Sequence, residues 1–202
     1  MNRNIALATA LVASALFGGG AEAAKRPTCK AGSAVERTIC ADADLAALSR
    51  EVVRLNALAA SDKALNKDAR ANLADAQKTF LAERDACGAQ SGCLADSMVG
   101  RIHALRQLPA ARAKDAAGIS AGPLAYACEG IAQTVLATTV RTKAPRVFLG
   151  WSDFDYVLVA AKAGEPYQTE LDTGAMSFAP EGETATLTVP GSPPRACRSA
   201  GQ

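Results

Sequence analysis

Few residues in this chain are arranged for chemistry. Glu181 and Glu183 flank a glycine and offer the two carboxyl groups of an acid/base couple, one charged and one protonated. Nothing nearby would bury one of them and raise its pKa, so they read as solvated turn charges. His103 is the only histidine, which excludes a His-rich metal site and leaves any His-based catalysis resting on one residue. It follows Ile102, roughly 100° away from the apolar stripe of its helix, and no nucleophile motif accompanies it, so it reads as a surface or boundary residue. Asp42-x-Asp44 and Asp153-x-Asp155 place oxygen ligands two apart but lack the further ligands of a calcium loop. The first pair suits a helix N-terminus and the second a turn between strands. There is no Gly-rich phosphate loop, Cys-x-x-Cys motif or serine elbow. The residues therefore assign no catalytic group, metal or cofactor, and the chain reads as a binding protein rather than an enzyme.

The six cysteines are the remaining reactive groups, and their even number suits paired thiols in an oxidising compartment. The start of the chain agrees. Arg3 supplies a positive end, Ile5 to Phe17 an apolar stretch too short for a membrane span, and Ala21-Glu22-Ala23 a small-x-small cleavage site. Residues 1–23 read as a cleaved secretory signal peptide. Cys29 lies beyond that cleavage point, so the expectation is a periplasmic protein that is not a lipoprotein and has no membrane span. A formal charge of +2 over 202 residues leaves no basic excess for a run of phosphates, which argues against nucleic-acid binding.

The elements that position these residues fall into two halves. Of the chain, 49% is hydrophobic, but 46 residues are alanine, which buries little, and only 4% are aromatic. Seven of the nine aromatics lie between Tyr126 and Phe178. Residues 25–112 carry 14 Lys/Arg against 10 Asp/Glu, and residues 118–202 carry 6 against 8. The first half has helical periodicity. Ser33 and Glu36 have capping-box spacing, giving a short helix to Cys40. Asp44 is placed to cap a second helix striped by Leu45, Leu48, Val52 and Leu55. A third carries Leu73, Ala76, Phe80 and Leu81 inward and stops near Cys87-Gly88, and a fourth lines up Leu94, Met98, Ile102 and Leu105. Such thin helices need staples. Among Cys29, Cys40, Cys87 and Cys93, two pairings are attractive: a local one (29–40 and 87–93) and a nested one (40–87 and 29–93).

Residues 109–123, small and bounded by breakers, read as a linker between a helical domain at 24–108 and a second domain at 124–202. There the period is two. Thr184–Val189 alternates Thr outward with Ala185, Leu187 and Val189 inward, and Gln133–Val140, Arg146–Trp151 and Tyr156–Ala160 are similar short runs. Several strands in so short a stretch indicate a small antiparallel β-barrel or sandwich. Cys128 and Cys197 are placed to pair and pin the first and last strands together, which suits a closed barrel. The fold class is α+β in two domains, a disulfide-stapled helical domain followed by a small antiparallel β-barrel.

Both halves resemble known families. Cys29-x10-Cys40 with Glu36 between, Leu45 and Leu48, Gln77-x2-Phe80-x3-Arg84-Asp85-x-Cys87, and Cys93-Leu94 leading to Arg101-Ile102-x2-Leu105 resemble the N-terminal domain of LprI-type lysozyme inhibitors, over residues about 28–108. Tyr126-x-Cys128-Glu129-Gly130, Trp151, Ala163-Gly164-x2-Tyr167, Phe178-x3-Gly182-x2-Ala185 and Cys197 resemble the MliC/PliC inhibitors of c-type lysozyme, over residues about 124–198. The resemblance implies a small β-barrel that acts as a monomer or weak dimer. It inserts two loops into the lysozyme cleft, where a Ser from one and a Lys from the other approach the enzyme's acid pair. On this chain those loops are Lys162, Ala163, Gly164 and Tyr167, and Phe178, Glu181 and Gly182. The chain departs from the pattern at both contact points: Ala163 stands at the Ser position and Glu181 at the Lys position, with Phe178 in place of Trp. Lys162 is a substitute cation in the first loop. The implied partner is c-type lysozyme and the implied function its inhibition by occlusion of the cleft; the alternative is an envelope binding or stability protein that keeps the barrel without inhibiting.

Overall fold

A computed structural model describes residues 32–112 and 118–200 of the chain. The segment read as a signal peptide, residues 1–23, and Cys29 lie outside the described residues. Among the described residues five helices come first: α1 (Ala34–Ala41), α2 (Ala43–Ala60), α3 (Lys67–Ala86), α4 (Ser91–Arg106) and the single turn α5 (Pro109–Arg112). Eight strands follow: β1 (Ser120–Cys128), β2 (Val135–Val140), β3 (Arg146–Trp151), β4 (Phe154–Val159), β5 (Tyr167–Leu171), β6 (Gly174–Glu181), β7 (Thr184–Thr188) and β8 (Arg195–Ser199). They pair in chain order and close into one antiparallel barrel, β8 returning to β1. The fold class is thus the one expected, α+β with a disulfide in the helical half and a closed barrel after it. Of the segment read as a linker, Pro109–Arg112 form α5, with Ala111 buried, and Ser120 opens β1.

Local signals explain most helix ends. α1 starts on the reciprocal box expected, Glu36 N–H donating to Ser33 Oγ at 3.2 Å and Ser33 N–H to Glu36 Oε2 at 2.9 Å. The second cap differs from expectation. Asp42, not Asp44, accepts from the first free N–H groups of α2, those of Asp44 and Leu45, at 2.8 and 3.0 Å. Asp44, two residues on, faces another side and reaches the barrel instead. Leu45, Leu48, Val52 and Leu55 are buried as the stripe requires. On α3 only Phe80 is fully inside. Ala76 and Leu81 are exposed, and the inner row runs through Leu73, Gln77, Phe80 and Arg84. Gln77 holds an inner place because Arg101 on α4 donates to its Oε1 at 3.1 Å, bonds Asn56 Oδ1 on α2 at 3.3 Å, and lies 6.0 Å over the Phe80 ring. One guanidinium thus ties three helices.

Two cores coexist. The barrel lumen is filled by Tyr126, Val135, Ala137, Val147, Leu149, Leu158, Met176, Phe178, Ala185 and Leu187, closed at one side by Cys128–Cys197. The helical core contains Ile39, Leu48, Leu55, Leu94, Met98 and Ile102, and it also includes Val140 and Phe148 from the barrel. Strand alternation accounts for the sharing. On β2 and β3 the odd-numbered Val135, Ala137, Val147 and Leu149 point into the lumen, so Thr138, Val140 and Phe148 point outward. α4 lies against that outer face, and for this reason it is buried on two sides, by Leu94, Met98 and Ile102 and by His103 and Arg106. Cys87–Cys93 bridges the turn between α3 and α4, which excludes the nested pairing. Cys40 is also disulfide-bonded.

Candidate functional site

In a closed up-and-down barrel, alternate connections share an end. The β4–β5 loop and the β6–β7 turn therefore emerge at the same end of the molecule, together with the β2–β3 connection and the start of β1. Lys162, Ala163 and Gly164 occupy the first of these and are all exposed. The chain reverses at Gly164, whose φ of 86° suits a residue without a Cβ, and Glu165 N–H donates to Lys162 O at 3.3 Å. Lys162 Nζ pairs with Glu165 Oε1 at 3.0 Å in the open. β4 and β5 meet only at Val159 with Gln168, so an open depression lined by Val159, Ala161, Glu165, Pro166 and Gln168 flanks the loop.

The second element is a two-residue hairpin. Glu181 ends β6 opposite Thr184, and Gly182 takes a φ of 64°. Glu181, Gly182 and Glu183 are exposed. Tyr167 and Phe178 face each other across β5 and β6, and they behave differently from the loop residues. Tyr167 is half-buried, and burial pushes its phenol pKa up. Phe178 is 0% exposed and meets Tyr126 edge-on at 5.6 Å. It belongs to the lumen core and can act on a partner only by supporting the turn above it.

The third connection at this end is occupied by the helical half. Asp44 accepts the N–H groups of Lys143 and Ala144, both at 2.9 Å, with Arg146 3.8 Å away. Desolvation raises the Asp44 pKa, but these hydrogen bonds and the Arg146 charge outweigh it and hold the carboxyl below its ordinary value. Beside it lies a buried ionic cluster. Glu51, 4% exposed, accepts from Arg54 Nε and Nη2 at 2.9 and 2.7 Å and from the hydroxyl of Ser120 at the start of β1. Arg106 donates to Ser120 Oγ at 2.8 Å, Ser120 O at 2.6 Å and Ala111 O at 2.8 Å, with Glu51 3.5 Å away. Burial would push the Glu51 carboxyl up; the bonds from Arg54 and Ser120 and the two guanidinium charges hold it below its usual range.

His103 is buried, contrary to the surface or boundary position read from its helix phase. It stacks on Phe148 with ring centroids 4.0 Å apart, and its Nδ1 lies 2.8 Å from Thr138 Oγ1. Gln107 Nε2 stands 2.9 Å from His103 Nε2 and can only donate, so Nδ1 carries the hydrogen and donates to Thr138. Burial pushes the His103 pKa down, partly opposed by the charge of Asp155. Neither Glu51 nor His103 had a linear motif; the one available signal was an ionisable residue about 100° from a leucine stripe, on a helix that proved to have two buried faces. No group of three or more His, Cys, Asp or Glu among the described residues could hold a metal ion. No helix among them is long and apolar enough to cross a membrane.

The comparison with a known family falls on the helical half. Residues 27–105 match the family model described as lysozyme inhibitor LprI. The match takes in the Arg101–Gln77–Phe80 cluster and the Cys87–Cys93 staple and ends before the barrel. No curated protein and no solved structure matches the chain.

Proposed function

We propose that the protein is an exported, non-enzymatic inhibitor of c-type lysozyme that acts by protein–protein binding and occludes the active-site cleft. The observation that carries this reading is the match of residues 27–105 to a lysozyme-inhibitor family. The barrel's resemblance to MliC/PliC inhibitors supplies the mode, and the shared end of the β4–β5 loop and β6–β7 turn is compatible with both entering one cleft. The mature chain begins after Ala23, is periplasmic rather than lipid-anchored, acts as a monomer or weak dimer, and divides near 109–123.

Glycosidases of this class depend on two carboxyl groups with different protonation, so a cation set between them blocks substrate and disturbs that balance. Lys162 is the residue in position to supply it. Its partner Glu165 is no obstacle, because an exposed pair of this kind is worth about 0–1 kcal/mol and opens readily. Glu181 works in the other direction, since a carboxylate facing two carboxylates is repelled.

A second reading has a specific basis: Ala163 has no hydroxyl and Glu181 has the wrong charge, as in a binding module that kept the barrel and lost inhibition. Titrating oxidised residues 24–202 against c-type lysozyme turning over cell walls separates the readings. Stoichiometric slowing is expected, weakened by Lys162→Ala and strengthened about tenfold by Glu181→Lys. No slowing at any ratio leaves the binding module, and wall breakdown without added lysozyme would mean an enzyme. Inhibition unchanged in Lys162→Ala would remove that residue from the mechanism.

A further inference from the structure

The end of the barrel opposite the β4–β5 loop carries a cluster that the inhibitory reading does not use. β3 and β4 are joined by Ser152 and Asp153 alone, so Trp151 and Phe154 face each other as the last register pair, with Tyr156 two residues on. Ser152 takes a φ of 50°, the one non-glycine with positive φ among the described residues. The three rings form one group: Trp151 to Phe154 is 6.0 Å, Trp151 to Tyr156 is 5.6 Å, and Phe154 to Tyr156 is 6.3 Å with the two planes only 6° apart. Trp151 and Tyr156 rest partly on the lumen core, while Phe154 is 52% exposed, the most exposed large hydrophobic side chain among the described residues.

Phe154, held beside two amphipathic, partly buried rings, makes a small aromatic platform, and the surroundings choose the ligand class that would fit it. A stable protein partner needs about 800 Å² per side, more than three rings supply when two are already partly buried. A lipid surface or a nucleic acid calls for Lys or Arg around the aromatics. Between Arg146 and Lys162 there is none, and Asp153 and Asp155 carry negative charge beside the rings. Arg195, at the start of β8 and three strands away from β3, is engaged by Glu129 O and Ser192 Oγ. Asp155 lies over Gly150 on the outer barrel wall towards His103, which leaves Asp153 in the turn, exposed between Trp151 and Phe154. What fits flat apolar faces beside a lone hydroxyl-accepting carboxylate is a neutral ring compound with a C–H face and a rim of O–H donors.

We propose that Trp151, Phe154 and Tyr156, with Asp153, form a site for a neutral β-linked oligosaccharide, separate from the lysozyme-binding end. The pyranose C–H face packs on Phe154 and Tyr156, and a ring hydroxyl donates to Asp153.

Trp151 is the only tryptophan, so its emission reports on this site alone. Titrating the oxidised protein with chitotetraose, in the absence of lysozyme, should give a saturable change in Trp151 emission with a Kd on the order of 1 mM or tighter. Phe154→Ala should raise that Kd at least about tenfold, and Asp153→Asn by a smaller factor, while stoichiometric lysozyme inhibition stays unchanged. Circular dichroism of each variant checks that the fold is kept. Absence of a saturable change with both chitotetraose and cellotetraose up to about 10 mM would overturn the proposal. So would equal affinity in folded Phe154→Ala, or an emission shift produced by phosphatidylglycerol vesicles and not by either oligosaccharide.

Discussion

Cys87–Cys93 spans 6 residues and Cys128–Cys197 spans 69, and the two bonds mark how differently the halves of this molecule are held. The short bond fixes one interhelical turn. The long one joins the first strand to the last, at a register pair of β1 and β8. The barrel is closed on itself, with its own lumen core and no free sheet edge. The helical half completes its core by borrowing Val140 and Phe148 from the barrel wall, and it anchors α2 and α4 there through Glu51, Arg106 and His103. The difference teaches that the barrel can serve as scaffold for the helices, whereas the helices depend on a surface they do not make.

The largest expected effect tests the closure. Replacing Cys128 and Cys197 by serine should cost about 4 kcal/mol in denaturant unfolding, against about 2 kcal/mol for Cys87 and Cys93, from the chain entropy of the two loops. Equal losses would mean that the contrast is not entropic. Next comes the anchor. Glu51→Ala leaves Arg106 buried without its carboxylate and should cost about 3 kcal/mol. Hydrogen exchange should show α2 and α4 losing protection before β5 to β8; simultaneous loss everywhere would make the halves one cooperative unit.

The effect of pH is smaller and has a definite sign. With the His103 pKa held below its ordinary 6.5, the unfolded chain takes up the proton first as pH falls. Stability is therefore complete above about 6.5 and declines below it, until the folded state also protonates. Thermal melts between pH 7.5 and 5 should show this slope, and His103→Gln should flatten it. At still lower pH, Glu51 and Asp44, both held below their ordinary values, add a loss of the same sign. The smallest stability change belongs to Glu165→Ala, within about 0.5 kcal/mol, since its pair with Lys162 is exposed. That variant should nonetheless tighten lysozyme binding if Lys162 is the inserted cation.

Much of the architecture was legible because it rests on local rules. The Ser33–Glu36 box, the Leu45–Leu55 stripe, the Cys87-Gly88 stop and the alternation at Thr184–Thr188 each follow from neighbours in the chain. Errors arose where two local solutions were equally good or where a helix had a second partner. Asp42 and Asp44 could both cap α2, and the barrel loop at Lys143–Ala144 claimed one of them. Ala76 and Leu81 lost the inner row of α3 to Gln77 because Arg101 needed an acceptor there.

For the candidate site, the sequence alone determined that Lys162, Ala163, Gly164 and Gly182 lie in turns and that Cys128 can meet Cys197, because turn residues and cysteine placement are written along the chain. Tyr167 and Phe178, read as loop residues, belong to β5 and β6. Only the tertiary structure decided that the two loops share an end, that Phe178 lies in the lumen core, and that Glu51, Arg106 and His103 seal the helices to the barrel. Strand order and barrel closure bring together residues up to 100 positions apart, as with Asp44 and Ala144, and no local spacing encodes which outer face a helix will cover.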